Sequence, residues 1–295
     1  MISSEEQAIV ISFDKNYYNY ARVLIRQLSK FTPGGISIFL MTPAHDSVAG
    51  IIEEFSNSNR LLVHIPVEYE EYEKILPEVS HLTISMYARL FIPKLLPDTI
   101  TQSFYIDIDV LIRRDISELF SERLEGIVGA VAANSEFPHL SVKIPKENTF
   151  YAGMLVINHI RWESEKILDR CLSIAKSGNE NLAYPDNDLL VLVLNQTEEN
   201  CWERIPIEYN YMAFLEKSRK TRVPDPSIVH FPGASKPWNS PYGGKYAREW
   251  RRVAHQTKGI HRLKPGDYSR YLLQDIKEEI MKSLITLVGM FRSRP

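Results

Sequence analysis

Two carboxylates, Asp107 and Asp109, stand one residue apart in an apolar stretch, with Phe104-Tyr105-Ile106 before them and Val110-Leu111-Ile112 after. On an ideal strand, side chains at i and i+2 share a face about 6 to 7 Å apart, so one divalent ion can engage both. Oxygen ligands of this kind suit Mg²⁺ or Mn²⁺, which also bind diphosphate oxygens and neutralise the charge that grows as a nucleotide leaves. An Asp-x-Asp alone is more simply read as two solvated charges at a strand end. The flanking residues shift that balance, because burying acids among apolar neighbours is costly unless a cation compensates.

A second constellation follows in Ile228-Val229-His230-Phe231-Pro232-Gly233-Ala234-Ser235-Lys236-Pro237-Trp238. A strand entering a Gly/Pro-shaped loop can bring an imidazole and an ammonium to one anion. Neutral His230 could serve as a third metal ligand and Lys236 as a point charge on a leaving phosphate. A packed histidine beside an exposed lysine is the plainer reading of this segment alone.

The elements that must position these groups are legible in the pattern. Apolar runs at Ala8 to Phe13, Ile36 to Met41, Arg60 to Ile65 and Gln102 to Ile108 predict strands. Helical spacing over Tyr17 to Lys30, around Ile51 to Phe55 and over Ser80 to Leu96 predicts helices between them. Further strands are expected at Gly126 to Ala133 and Met154 to Asn158, and further helices at Arg161 to Ser177 and Asp186 to Asn195. This alternation argues for an α/β fold with a mostly parallel central sheet flanked by helices. Asp107 and Asp109 then fall at a strand's C-terminal end, where open α/β sheets place ligands.

The 295 residues accommodate one elaborated domain, expected over residues 1–240, followed by a C-terminal helical tail over 241–295. A net charge of −2 gives no global reason for a polyanionic partner, and no nucleic acid is expected. Two cysteines, Cys171 and Cys201, are too few for a disulfide framework and suit a reducing interior. No secretory signal and no run of roughly 20 apolar residues is seen, so a cytoplasmic protein is expected. In the tail, Lys245 to Lys264 holds seven Lys/Arg against Glu249, with Tyr246 and Trp250 among them, which suits an anionic surface. An amphipathic pattern continues from Tyr268 to Phe291. Peripheral binding at the inner face of the membrane and simple packing on the core are equally weighted readings of it.

Taken in order, these motifs closely resemble glycosyltransferase family 8, the retaining UDP-sugar transferases that include bacterial lipooligosaccharide galactosyltransferases. Ser12-Phe13-Asp14-Lys15-Asn16-Tyr17 resembles the family's opening loop, which implies that Asp14 and Asn16 approach uracil and ribose. His81-Leu82-Thr83-Ile84-Ser85-Met86-Tyr87-Ala88-Arg89-Leu90 is similar to its Tyr-x-Arg helix, and His81 and Arg89 inherit donor binding. Thr149-Phe150-Tyr151-Ala152-Gly153 resembles the element beside the donor sugar, which brings in Ala152 and Gly153. Tyr184-Pro185-Asp186-Asn187-Asp188 resembles the Asp-Gln-Asp helix start near the anomeric carbon, and His230 to Trp238 the His-x-x-Gly-x-x-Lys-Pro-Trp loop, with Gly233 at its bend. Tyr151 stands where the family usually has Asn, and Asn187 where it has Gln.

The resemblance implies a GT-A-type nucleotide-sugar-binding domain that moves galactose or glucose from a UDP-hexose to a saccharide acceptor, lipid-linked acceptors included, in lipopolysaccharide or other surface-glycan synthesis. It implies a Mn²⁺ or Mg²⁺ cofactor on Asp107, Asp109 and His230, with Asp186, Asn187, Asp188 and Lys236 as catalytic residues. A catalytically silent sugar-nucleotide binding protein and a nucleotidyltransferase are the alternatives. The second lacks a Gly-rich phosphate loop near the first strand.

Overall fold

The structure is a computed structural model that describes residues 3–58, 60–68, 72–77, 84–133, 144–178, 180, 182–197, 201–217, 223–233, 236–238 and 244–257. In chain order its strands are β1 (Gln7–Ser12), β2 (Ser37–Pro43), β3 (Leu62–Val67), β4 (Gln102–Ile106), β5 (Val110–Ile112), β6 (Val128–Ala132), β7 (Phe150–Asn158), β8 (Trp202–Arg204), β9 (Tyr211–Met212) and β10 (Ile228–His230). The α-helices are α1 (Tyr18–Phe31), α2 (Ala49–Phe55), α3 (Ile92–Leu95), α4 (His159–Ser164), α5 (Ile167–Ser177), α6 (Pro185–Asn195) and α7 (Lys245–His255).

Among the described residues, one sheet runs β3-β2-β1-β4-β7-β6-β8 and a second, smaller one runs β5-β10-β9. In the large sheet only β7 runs against its neighbours β4 and β6, and the other pairs are parallel. Apolar runs without polar alternation suit this arrangement, because central strands are covered on both faces. Ala8 and Val10 of β1 enter one hydrophobic core while Ile9 and Ile11 enter another. The same split divides Phe39 and Met41 of β2 from Ile38 and Leu40. Each strand thereby anchors two layers at once.

The expected elements recur with shifts of physical origin. The helix expected over Ser80 to Leu96 is a 3-10 helix at Ile84–Phe91 continued by α3, and residues 80–83 lie outside the described set. The helix expected from Arg161 to Ser177 is broken by Lys166 in the left-handed region at φ 52°, which separates α4 from α5. Phe150–Asn158 is one strand, nine residues long and buried throughout, so the motif ending at Gly153 and the strand starting at Met154 are continuous. β5, β8 and β9, too short to read from periodicity, were not expected.

The largest correction concerns the acids. The strand expected to carry both ends at Ile106, and Asp107, Ile108 and Asp109 form the bend between β4 of the large sheet and β5 of the small one. Their approach therefore comes from a turn rather than from strand alternation. Gln27 on α1 holds the far side of this crossing, its buried Oε1 accepting from the backbone N–H of Ile112 at 2.8 Å.

α7 lies past the boundary expected at residue 240, yet its Tyr246, Ala247, Trp250 and Ala254 pack into the third hydrophobic core with Tyr211, Val229 and Phe231. Arg113 ties it down further, reaching Glu249 at 3.0 Å. The aromatic residues read as part of a membrane-facing tail thus face protein. Its outward side still carries exposed Lys245, Arg248 and Arg252. The amphipathic pattern from Tyr268 onward lies outside the described residues. No helix among the described residues is long and apolar enough to cross a membrane.

Candidate active site

Strand ends, the bend and two helix starts enclose a cavity of about 460 Å³ whose wall includes Asp14, Arg89, Asp107, Asp109, Asp186, Asn187, His230 and Lys236. Residues separated by more than 200 positions in sequence thereby share one wall.

Two backbone pairings set the acids against the imidazole. The N–H of Asp107 donates to Gly153 O at 2.8 Å, extending the β4–β7 register one residue beyond Ile106↔Met154. Asp109 precedes Val110, which pairs with His230, and its carbonyl accepts from Phe231 N–H at 2.9 Å. His230 Nε2 then lies 3.2 Å from Asp109 Oδ1 and 3.7 Å from Asp107 Oδ2. One ligand atom from each of Asp107, Asp109 and His230 falls within 4.8 Å of the others. Among the described residues this is the cluster able to hold a metal ion.

The donor set fits a divalent ion on a further observation. Asn210 Oδ1, an acceptor only, lies 3.0 Å from His230 Nδ1, so that nitrogen donates the bond and Nε2 is the edge turned toward the two carboxylates. A cation there would offset the repulsion between Asp107 and Asp109. The close approach also requires glycine at 153, where a Cβ would stand 2.2 Å from His230 Cε1 and 2.8 Å from Asp107 Oδ2.

The acids differ in environment. Asp107 Oδ1 accepts from Arg89 Nη2 at 2.8 Å and from Tyr105 Oη at 2.5 Å. Burial, assisted by the charge of Asp109, nonetheless raises its pKa above the ordinary value. For Asp109 burial acts in the same direction, but Lys236 and His230 outweigh it and hold the carboxyl below its usual range. Lys236 Nζ pairs with Asp109 Oδ2 and also donates to Phe231 O at 3.0 Å, folding the loop back on the strand that precedes it.

Arg89 is the brace of the opposite wall. Its Nη1 donates to Ala152 O at 2.6 Å, its Nε lies 3.1 Å from Asp186 Oδ2, and its guanidinium sits 4.7 Å above the Tyr105 ring. Burial alone would lower its pKa, but Asp107 and Asp186 more than offset that and raise it, so it stays charged. Asn187, one residue on from Asp186 in α6, accepts from Ala152 N–H through Oδ1 at 2.7 Å, leaving its Nδ2 at the cavity wall without a partner among the described residues. Asp188 is not at that wall. It is fully buried and its Oδ2 accepts from the N–H groups of Ala183 and Tyr184 at 2.9 and 3.0 Å, closing the N-terminus of α6.

The remaining expected residues divide similarly. Asp14 reaches the cavity, while Asn16 is exposed away from it and its N–H donates to Asp14 Oδ1 at 2.8 Å. Gly233 lines the cavity at φ 75°, a region glycine enters without strain. Trp238 lines it too and stacks on Tyr20 of α1, ring centroids 4.0 Å apart. Tyr151 and Ala152 occupy the wall where β6 pairing breaks register, Val131 facing Tyr151 instead of continuing to Met154. His81 lies outside the described residues. Tyr105, Asn210 and Met212 contribute to the site without having been expected. Only Tyr105, adjacent to the acids, carried a sequence signal.

Comparison with known proteins agrees with this fold. The chain is 28% identical over 219 residues to general stress protein A of Bacillus subtilis, covering 66% of this chain and 74% of that protein. It is 26% identical over 203 residues to the lipopolysaccharide 1,2-glucosyltransferase of Escherichia coli, covering 64% of this chain but 59% of that enzyme's length. Its fold matches the crystal structure of galactosyltransferase LgtC in complex with donor and acceptor sugar analogs, with a TM-score of 0.72 and 21% identity over 88% of this chain and 99% of that one. Residues 8–241 match the family profile described as Glycosyl transferase family 8, and the chain belongs to that family.

Proposed function

We propose that the protein is a metal-dependent hexosyltransferase that moves galactose or glucose from a UDP-sugar to a saccharide acceptor with retention of configuration. The observation that carries this reading is the convergence of Asp107, Asp109 and His230 at one cavity wall, with Lys236 against Asp109. The three residues would hold Mn²⁺ or Mg²⁺. Bound there, the ion supplies positive charge to the diphosphate.

The chain's own groups supply the rest. Lys236, held beside Asp109, would act on the departing phosphate as a point charge. Arg89, with Nε, Nη1 and Nη2 each donating to protein acceptors, positions Asp107 and Asp186 more than it grips the donor. Asp14 takes the nucleoside side. Asp186 and the Asn187 amide meet donor hydroxyls, and the acceptor attacks on the face that UDP leaves. Preorganised charge in the cleft is the main catalytic lever. The bulky Tyr151 in place of a small amide shapes the sugar pocket.

The acceptor belongs by this reading to lipopolysaccharide or other surface-glycan synthesis, in keeping with the lipopolysaccharide transferase among the relatives. A lipid-linked acceptor would be met on the cytoplasmic side of the membrane, with exposed Lys245, Arg248 and Arg252 of α7 toward acidic lipid. Slow UDP release from a panel of UDP-sugars, with Mn²⁺ and with EDTA, tests the central proposal. EDTA-sensitive release from one UDP-hexose is expected; UDP binding without release from any donor, even with saccharide acceptors supplied, would favour the silent binding protein.

A further inference from the structure

Asn210 follows the 3-10 turn Ile207–Tyr209 and enters β9, which runs beside β10 with Met212 opposite His230. It is 1% exposed and sits between two buried tyrosines, Tyr209 and Tyr211. An amide in such a place is costly. Among the described residues its Nδ2 meets no acceptor, and a buried donor left unmet costs about 1 to 3 kcal/mol. A leucine would fill the same space without that cost. The bond its side chain does make accounts for its presence: Oδ1 accepts from His230 Nδ1–H at 3.0 Å.

Two neighbours thereby fix the imidazole. Asn210 holds the Nδ1 edge, and the Cα of Gly153 crowds the Cε1 edge so closely that a Cβ has no room. The ring has one orientation left, with Nε2 toward Asp107 and Asp109. We infer that Asn210 is a positioning residue, which fixes the tautomer and rotation of His230 so that Nε2 is the nitrogen offered to a divalent cation. The inference rests on the reading of Asp107, Asp109 and His230 as the metal site. Groups that orient a metal-binding imidazole through its second nitrogen typically change metal affinity 10- to 100-fold.

The test is Mn²⁺ binding by calorimetry to the full chain without nucleotide, accompanied by thermal melts and by ¹H–¹⁵N correlation of the His230 ring. Asn210→Leu is expected to bind Mn²⁺ about 10- to 100-fold more weakly with a melting temperature equal to or above that of the parent protein. Asn210→Asp, which restores an acceptor, is expected to return the affinity to within about threefold. Unchanged Mn²⁺ affinity in Asn210→Leu overturns the inference, as does weakened affinity that Asn210→Asp does not recover. Should Asn210→Leu fail to fold, the parent protein decides: ring shifts of an Nδ1-protonated tautomer support the inference, and those of an Nε2-protonated tautomer overturn it. Asp109→Asn and His230→Ala serve as controls. If both keep parental Mn²⁺ affinity, the metal-site reading fails and takes this inference with it. If both lose it while Asn210→Leu does not, the inference fails alone.

Discussion

Gly153 and His230 approach so closely that a methyl group on the glycine would stand 2.2 Å from the imidazole Cε1. The contact joins the large sheet, through β7, to the small sheet, through β10, at the point where the chain itself crosses between them at Asp107 to Asp109.

Gly153→Ala must therefore move the ring or the strand. The strand is central and its Gly153 carbonyl is bonded to Asp107 N–H, so the ring and the Asp107 carboxylate are expected to yield. A stability loss of about 1 to 3 kcal/mol from overpacking is expected. Mn²⁺ affinity should fall at least about tenfold, as misdirected ligands usually cause. Titration of Mn²⁺ by electron paramagnetic resonance, with thermal melts in parallel, reads both; parental affinity at a normal melting temperature would mean that the cluster is looser than its geometry.

Asp109 accepts from Lys236 on one oxygen and faces His230 with the other. Asp109→Asn removes the negative charge that Lys236 pairs with and that a bound ion would need, and EDTA-sensitive UDP release should disappear. Lys236→Met leaves the acids in place and removes the point charge proposed for the leaving phosphate. It should lower kcat by about 10²- to 10³-fold with little change in donor Kd. Steady-state kinetics combined with equilibrium donor binding separates the two, and near-parental turnover in Asp109→Asn would refute the metal role.

Asp188 closes the start of α6 from a fully buried position. Asp188→Ala leaves the N–H groups of Ala183 and Tyr184 unmet and should cost about 1 to 3 kcal/mol. Asp188→Asn keeps one acceptor and should cost less. Urea denaturation of the three proteins checks the order. Equal stability of the alanine and parent proteins would remove the capping role and return Asp188 to consideration as a reacting group.

His159, buried beside β4 with its Nε2 2.9 Å from Ser103 Oγ, has its pKa lowered to about 4 by burial. The native state therefore resists a proton that the unfolded chain accepts near its ordinary value of about 6.5. As pH falls from about 6.5 toward 4 the unfolded state binds more protons, and stability drops by at most about 1.4 kcal/mol per unit. Above 6.5 both states are neutral and this contribution is flat. Denaturation midpoints at pH 7 and pH 5 should show the loss, and His159→Gln should show a smaller one.

The local sequence determined what could be argued from neighbours in the chain. Runs such as Ile9-Val10-Ile11 and Phe104-Tyr105-Ile106 declare buried strands, because burial on both faces admits no polar alternation. The types and order of Asp107, Asp109, His230 and Lys236 raised the expectation of metal and phosphate chemistry. The tertiary structure alone decided how they meet. The acids converge through a bend between two sheets, since strand periodicity cannot show where one sheet yields to the next. Asp188 turns away from the cavity to accept from the N–H groups of Ala183 and Tyr184, the two residues that lead into α6. Trp250 and Tyr246, set among basic residues, enter the core because the apolar face of α7 meets α1 and β5, partners no local pattern contains. Asn210 carries no motif, and its bond to His230, 20 residues away, exists only because parallel pairing lays β9 against β10.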